Sequence, residues 1–260
     1  MTDASSYEIL ICNEIWDCET DTFDHRAILL RRDGQYFSAC DPRRNGPIDQ
    51  SQLSLEPIPV AQFRAPFTAD LTLAPDTCLQ SKQVYIKEPQ LIDYSMSSAA
   101  EKNTFYEPQL QEVQVYELLR LNPHPNIGLY YGCVVKDNRI LGLSLRRYSY
   151  TLKDAIREKK PSFDQRRAYL EDVKRGIAHL HNLGLVHGDL NPSNIMVDEN
   201  CAVLIDFDSC RPAGKPMGRK GGTWEWCPDE IPDTAELEHD QAALKKLEEY
   251  LLGAGSDTTT

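Results

Sequence analysis

Strand-like and helix-like rhythms of apolar and polar residues divide this chain. The first 60 residues read as strands and turns. Tyr7 to Ile15 is apolar-rich, and Ala27 to Leu30 is a second strand candidate, ended by Arg31-Arg32-Asp33-Gly34. Gln35 to Cys40 returns as the other arm of a hairpin, since Asp-Gly favours a tight turn. Asp41 to Gln52 is polar and holds Pro42, Gly46 and Pro47, which predicts a loop. Pro57, Pro59, Pro66 and Pro75 then punctuate short extended pieces that wrap a surface more than they build a sheet. Gln83 to Lys87 alternates again, with Val84 and Ile86 on one face and Tyr85 and Lys87 on the other. Leu91 and Ile92 are expected to extend it past Pro89.

A helical rhythm begins at Glu107. Pro108 suits a first turn, and Leu110, Val113, Tyr116 and Leu119 form an apolar stripe up to Leu121. Asn122-Pro123-His124-Pro125 stops it. Ile127 to Lys136 and Arg139 to Leu145 are strand candidates joined by Asp137-Asn138. Thr151 is a plausible N-cap for a helix from Leu152 to Glu158, with Asp154 as its capping-box partner. Phe163 to Asn182 is the clearest helix: Tyr169, Leu170, Val173, Ile177 and Leu180 share one side, and Gly184 follows as a stop. Asp208 to Glu230 is loop-like. A last helix runs from Leu237 to Leu252, before the frayed tail GAGSDTTT. Strands with one helix, then mostly helices, predict a small sheet-rich lobe and a helical lobe with a cleft between them. There is no internal repeat.

Composition adds exclusions. The 260 residues are 41% hydrophobic and 26% charged, the balance of a soluble globular protein with a real core. A net charge of -12 argues against nucleic acid or an anionic membrane as main partner, yet leaves phosphate binding open to a few local cations. None of the eight cysteines forms a CxxC pair, and no histidine lies near Cys12 and Cys18 at metal-ligand spacing. The cysteines are expected to pack mostly as small hydrophobes in a reduced compartment. The N-terminus MTDASSYEIL has no basic region before an apolar run, so no signal peptide is expected, and no apolar run reaches membrane-spanning length. An intracellular protein, cytoplasmic or nuclear, is the expectation.

The chemistry concentrates in HGDLNPSNIMVDENCAVLIDFD, His187 to Asp208. This stretch resembles the catalytic and metal-binding segments of the protein-kinase-like superfamily, HRDxxxxN followed by DFG. VYIK, ending at Lys87, resembles the VAIK strand. HPNI at His124 to Ile127, YYGC at Tyr130 to Cys133, and GTWEWCPDE at Gly222 to Glu230 resemble later family landmarks. The overall impression is of short, divergent fungal protein kinase domain proteins. The resemblance implies an α+β, bilobal protein-kinase-like fold with a sheet-rich N-lobe and a shortened helical C-lobe. It places the N-terminal lobe at 1–145, with a divergent strand extension over about 1–80, and a minimal helical lobe at 146–260.

It also implies roles. ATP and Mg2+ are the expected cofactors. Lys87 would hold the phosphates, paired with a carboxylate on the helix, Glu112 or else Glu117. Asp189 would orient the acceptor hydroxyl or take its proton. Asn194 and Asp206 would be metal ligands, with Asp208 as a further one or as a solvated turn residue. His187 would support the loop, Asp240 would brace its backbone, and Glu230 would pair with a basic residue. Leu145 would border the adenine pocket, with Arg146 and Arg147 in the hinge. Arg211, Lys215, Arg219 and Lys220 form a candidate docking surface for an acidic or phosphorylated partner over 211–220, or a solvated basic loop.

Four departures shape the functional expectation. No GxGxxG precedes Lys87, so backbone N–H groups of such a loop are not there to approach phosphates. The arginine of HRD is Gly188, as in the HGDLxPxN of aminoglycoside phosphotransferases. The lysine of DLKPxN is Asn191, whose amide donates a hydrogen bond but carries no charge. DFG is Asp206-Phe207-Asp208, and loss of glycine stiffens the turn. The leading expectation is an ATP- and magnesium-dependent phosphotransferase, foremost a protein serine/threonine kinase. A small-molecule kinase and a non-catalytic pseudokinase acting as a binding or regulatory module are the alternatives. The acceptor is accordingly a protein or a small molecule. A homodimer through the N-terminal strands is a further expectation, because their edges need covering.

Overall fold

The computed structural model describes residues 7–17, 19–91, 94, 97, 99–198, 201–217, 223, 225, 226 and 233–253. These fall into two compact units, drawn from Met1–Pro66 with Glu88–Glu107 and from Phe67–Lys87 with Pro108–Thr260.

In the first unit, β1 (Glu8–Asp17), β2 (Thr22–Arg32), β3 (Gln35–Asp41) and β4 (Glu56–Pro57) form an antiparallel meander in sequence order. Asp33 and Gly34 take φ of +52° and +75°, the positive values a tight hairpin turn requires. The run Ala27 to Leu30 is buried at every position because both faces of β2 are covered. Ile28 and Leu30 pack with Ala39, Phe37, Ile48, Leu53 and Leu55 on one face. Leu29 packs with Tyr36, Ile58, Phe63, Leu91 and Tyr94 on the other. Asp41, buried at the end of β3, accepts from Arg43 and from Arg26, whose Nη2 lies 2.5 Å away. Arg43, joined by Arg26, holds its carboxyl well below the usual carboxylate range. The proline-punctuated segment is less extended than expected: Pro59 and Pro75 each precede a one-turn helix, Val60–Phe63 and Asp76–Leu79.

The second unit opens with Phe67 to Lys87. Thr72 and Ala74 bond Cys133 through both its N–H and its C=O. β5 (Val84–Lys87), β6 (Tyr130–Lys136) and β7 (Arg139–Arg146) form a three-stranded antiparallel sheet in the order β5-β7-β6. β5 ends at Lys87. Leu91 does not extend it and packs instead in the first unit, and Ile92 lies outside the described residues. Asp137 and Asn138 make the β6–β7 turn at φ of +50° and +59°. α1 (Glu107–Leu121) buries Val113, Tyr116 and Leu119, while Leu110 is only half-buried and the polar Gln109 and Glu112 are buried with the stripe.

After Arg146 the chain is mainly helical. β8 (Tyr150–Thr151) leads into a one-turn helix, Leu152–Asp154, that widens over Ala155–Lys159. Thr151 Oγ1 caps it by accepting from the Asp154 N–H at 3.0 Å. α2 (Phe163–Asn182) starts in a reciprocal capping box between Ser162 and Gln165. It ends where Gly184 turns at φ +72°. Its apolar side faces β11 (Cys201–Leu204), the strand paired with β10 (Ile195–Asp198), and α3 (Leu237–Leu252). Gly176 permits that approach: a Cβ there would lie 2.8 Å from Leu204 Cδ1 and 3.0 Å from the Asn126 carbonyl oxygen. β9 (Leu185–Val186) pairs with β12 (Arg211–Pro212), which frames the loop between them. Strands thus dominate to Arg146 and helices thereafter, a mixed α and β architecture. Among the described cysteines only Cys133 and Cys210 are buried, whereas Cys12, Cys40 and Cys201 are exposed. Their expected use as core residues is corrected accordingly, because β1, β3 and the start of β11 turn those positions outward. No described helix is long and apolar enough to cross a membrane.

Candidate active site

Lys87 closes β5, and Glu112 lies in α1 on the face that carries Val113 and Tyr116. Lys87 Nζ donates to Glu112 Oε1 and to Asp206 Oδ1, both at 2.6 Å, and stands 3.9 Å from Asp208 Oδ2. One cation therefore meets three carboxylates. Burial acts to lower the Lys87 ammonium, but Glu112, Asp206 and Asp208 outweigh it and hold Lys87 well above its ordinary value. Burial pushes the Glu112 carboxyl up to about 7 against the attraction of Lys87, and the two aspartates add to the rise. The other carboxylate weighed for this pairing, Glu117, is engaged elsewhere. It accepts from the Thr72 N–H at 2.7 Å, the Thr72 hydroxyl at 2.8 Å and Tyr130 OH at 3.1 Å. Burial acts to raise its carboxyl, but these bonds and Arg120 keep it low.

Asp206 follows β11 and adopts φ +64°, a left-handed conformation that costs a non-glycine residue about 1–3 kcal/mol. Phe207 over-determines it: the ring is fully buried, edge-on to Tyr116 with centroids 5.1 Å apart and 5.5 Å from His187. Asp208 has no positive φ, so this turn does not require the glycine that a DFG sequence would supply.

The loop from His187 to Asn194 is held from behind and from within. Asp240, buried in the first turn of α3, accepts from the backbone N–H groups of His187 at 2.9 Å and Gly188 at 3.0 Å, and from His181 at 2.8 Å. His187 Nε2 bonds the Ile205 carbonyl at 3.2 Å. Gly188 takes φ +76°, and a Cβ there would meet the Ser209 carbonyl oxygen at 2.9 Å, so the backbone itself excludes an arginine at this position. The Asp189 carboxylate accepts four hydrogen bonds, three on Oδ1 and one on Oδ2. Asn194 Nδ2 reaches Oδ2 at 2.8 Å, and Oδ1 accepts from Asn191 Nδ2 at 3.1 Å, the Thr223 N–H at 2.7 Å and the Thr223 hydroxyl at 2.8 Å. Asn191 also donates to Thr223 Oγ1 at 3.1 Å. Ile205 N–H donates to the Asn194 carbonyl at 3.0 Å, which ties Asn194 to the residue before Asp206.

The sequence-predicted residues thus gather in two linked groups: Lys87, Glu112, Asp206 and Asp208, and Asp189 with Asn194. Leu145 is buried in β7 opposite Tyr85 and Tyr130. Arg146 turns away to Asp198, 2.6 Å distant. Arg147 bonds the Val84 carbonyl oxygen through Nε at 3.2 Å and Nη2 at 3.0 Å. In the basic segment, Arg211 points inward to the Asp208 and Cys210 carbonyls, at 2.8 and 2.7 Å, which removes it from a surface for acidic partners. Arg219, Lys220 and Glu230 lie outside the described residues. Sequence reasoning missed Thr223. It sits 34 residues from Asp189 with no spacing signal, and only its place in GTW before the loop end could have marked it.

Among the described residues no group of three His, Cys, Asp or Glu side chains forms a metal cage. Asp206, Asp208 and Asn194 offer instead two carboxylates and an amide. Mg2+ is commonly bound this way, through one or two carboxylates while keeping waters and phosphate oxygens. Three carboxylates around one lysine also leave the cluster a surplus negative charge that a divalent ion matches.

The protein kinase domain family matches residues 90–243, more than half of the chain, starting just after Lys87. The chain is 30% identical over 105 residues to human MAPK/MAK/MRK overlapping kinase, covering 39% of this chain and 25% of that protein. It is 36% identical over 80 residues to mitogen-activated protein kinase p38b of Drosophila melanogaster, covering 30% and 22%. It is 31% identical over 147 residues to the serine/threonine-protein kinase/endoribonuclease IRE1 of Hypocrea jecorina, covering 49% and 12%. The chain therefore spans a quarter or less of the length of these curated relatives. On the extent of the domain match, with the paired lysine and the two acidic motifs in place, this chain belongs to the protein kinase domain family.

Proposed function

We propose that this chain is an ATP- and Mg2+-dependent phosphotransferase that acts on serine or threonine hydroxyls of proteins. The observation that carries this reading is Lys87 bridging Glu112 and Asp206 at 2.6 Å each. Phosphoryl transfer asks a protein mainly for positioning and for charge around the phosphates. In this reading Lys87 binds the phosphates and Glu112 keeps its ammonium in place. Asp206, Asp208 and Asn194 hold Mg2+, which when bound neutralises charge on the phosphate oxygens. Asp189 orients the acceptor hydroxyl, and its carboxylate is pre-aimed by Asn191, Asn194 and Thr223. The protein acceptor is favoured by the family, and the basic residue Lys215 is a candidate contact for an acidic substrate.

The test is ADP release and phosphate incorporation into the chain and into a mixed Ser/Thr peptide array, with Mg2+ present or chelated. Lys87→Ala and Asp206→Ala should each cut turnover by about a hundredfold or more. Turnover that survives both substitutions would overturn the assignment. A second reading, a nucleotide-binding module without turnover, is favoured by one observation: among the described residues β5 is the edge of its sheet and no hairpin pairs beside it to cover phosphates. Magnesium-dependent ATP binding with no turnover in any acceptor screen would select that reading.

A further inference from the structure

β5 presents Tyr85 and Lys87 on the same face, two residues or about 6.7 Å apart at the rise of a strand. Tyr85 stands directly opposite Leu145 in the ladder, and Lys87 opposite Leu143. A nucleotide with its phosphates at Lys87 would lay its base along this face, toward Tyr85 and Leu145. Two features there are independent of the phosphate site. Tyr85 is 47% exposed, a large share for an aromatic residue on a sheet. The Arg147 guanidinium lies 5.7 Å from the ring centroid, itself pinned by two hydrogen bonds to the Val84 carbonyl oxygen. The ring is thus a steadied aromatic surface next to a fixed positive charge.

The two backbone N–H groups after Leu145 are both engaged within the protein. Arg146 N–H donates to the Leu129 carbonyl at 2.8 Å, and Arg147 N–H to the Gln83 carbonyl at 2.7 Å. A base edge gains no donor from either. Its π-face, by contrast, meets an aromatic ring, and stacking is tolerant of base identity because every base has such a face.

We infer that Tyr85, steadied by Arg147, is a stacking platform for the base, so that this site takes nucleoside triphosphates with little regard to which base they carry. The inference rests on the phosphotransferase reading above, and it names the class of donor that the site accepts. Among bases, purines should hold a modest advantage from their larger stacking area.

The experiment is equilibrium binding of ATP, GTP, CTP and inorganic tripolyphosphate, each with Mg2+, to the full chain and to its Tyr85→Ala and Tyr85→Phe variants. In the wild-type chain ATP and GTP should bind within about threefold of each other, and tripolyphosphate about tenfold or more weakly. Tyr85→Ala should bring ATP down to the level of tripolyphosphate while leaving tripolyphosphate unchanged, and Tyr85→Phe should keep the wild-type ratio. An ATP preference over GTP of about tenfold or more would overturn the inference by showing that a base edge is read. An ATP to tripolyphosphate ratio unchanged in Tyr85→Ala would overturn it too, while leaving the phosphate site intact. No binding of any of the four, tripolyphosphate included, would overturn both this inference and the reading beneath it.

Discussion

Glu112 couples the site to pH. Its carboxyl, raised to about 7, keeps a proton in the folded chain over the interval where an unfolded glutamate, near 4.5, has lost it. Between these two values the folded state binds more protons than the unfolded state, so its stability falls as pH rises. The contribution is fully present below the unfolded value and is lost as pH climbs through about 7. Melting temperatures measured from about pH 5 to pH 8 should decline for the wild-type chain and stay flatter for Glu112→Gln. Equal slopes would refute this. At this scale the sequence was legible where a motif fixes a residue by its neighbours, as for Lys87 in VYIK or Asp206 before Phe207. It put Glu112 ahead of Glu117 on α1 without excluding the second. What separates them is Thr72 and Tyr130, which reach Glu117 from parts of the chain that no helical pattern reveals.

Asp240 shows what an element contributes beyond its own length. From the first turn of α3 it satisfies two backbone donors of the loop, the buried one of His187 and the half-buried one of Gly188. Replacing it with alanine strands both, at about 1–3 kcal/mol each. Asp240→Ala should therefore lose about 2–6 kcal/mol in urea titrations, and a loss below about 1 kcal/mol would remove the bracing role. Of the three long helices α2 was the most readable, because the Tyr169 to Leu180 stripe and the stop at Gly184 agree. The two-residue strands β8, β9 and β12 were not readable. Each exists only through a partner distant in sequence, such as Tyr150 opposite Val197, so nothing local announces it. Leu91 misled for the same reason: apolar after a strand, it serves another core.

For the molecule as a whole, the family match begins at residue 90, and the sheet from β1 to β4 lies ahead of it. The meander was legible from its hairpin signal at Asp33-Gly34, but which cluster each face of β2 joins depends on residues as distant as Tyr94. The site, by contrast, was legible as a set, because its motifs lie within the matched region apart from Lys87. The crowd of carboxylates at Lys87 gives the chain a behaviour that ordinary electrolytes would expose. It resembles a small cation exchanger, with room for a doubly charged counter-ion and little use for sodium. Magnesium chloride alone, without nucleotide, should raise the melting temperature above that in sodium chloride of equal ionic strength, and Asp208→Gly should shrink the difference. If the two salts act alike on the wild-type chain, the acidic cluster is merely screened, and it discriminates no ion by valence.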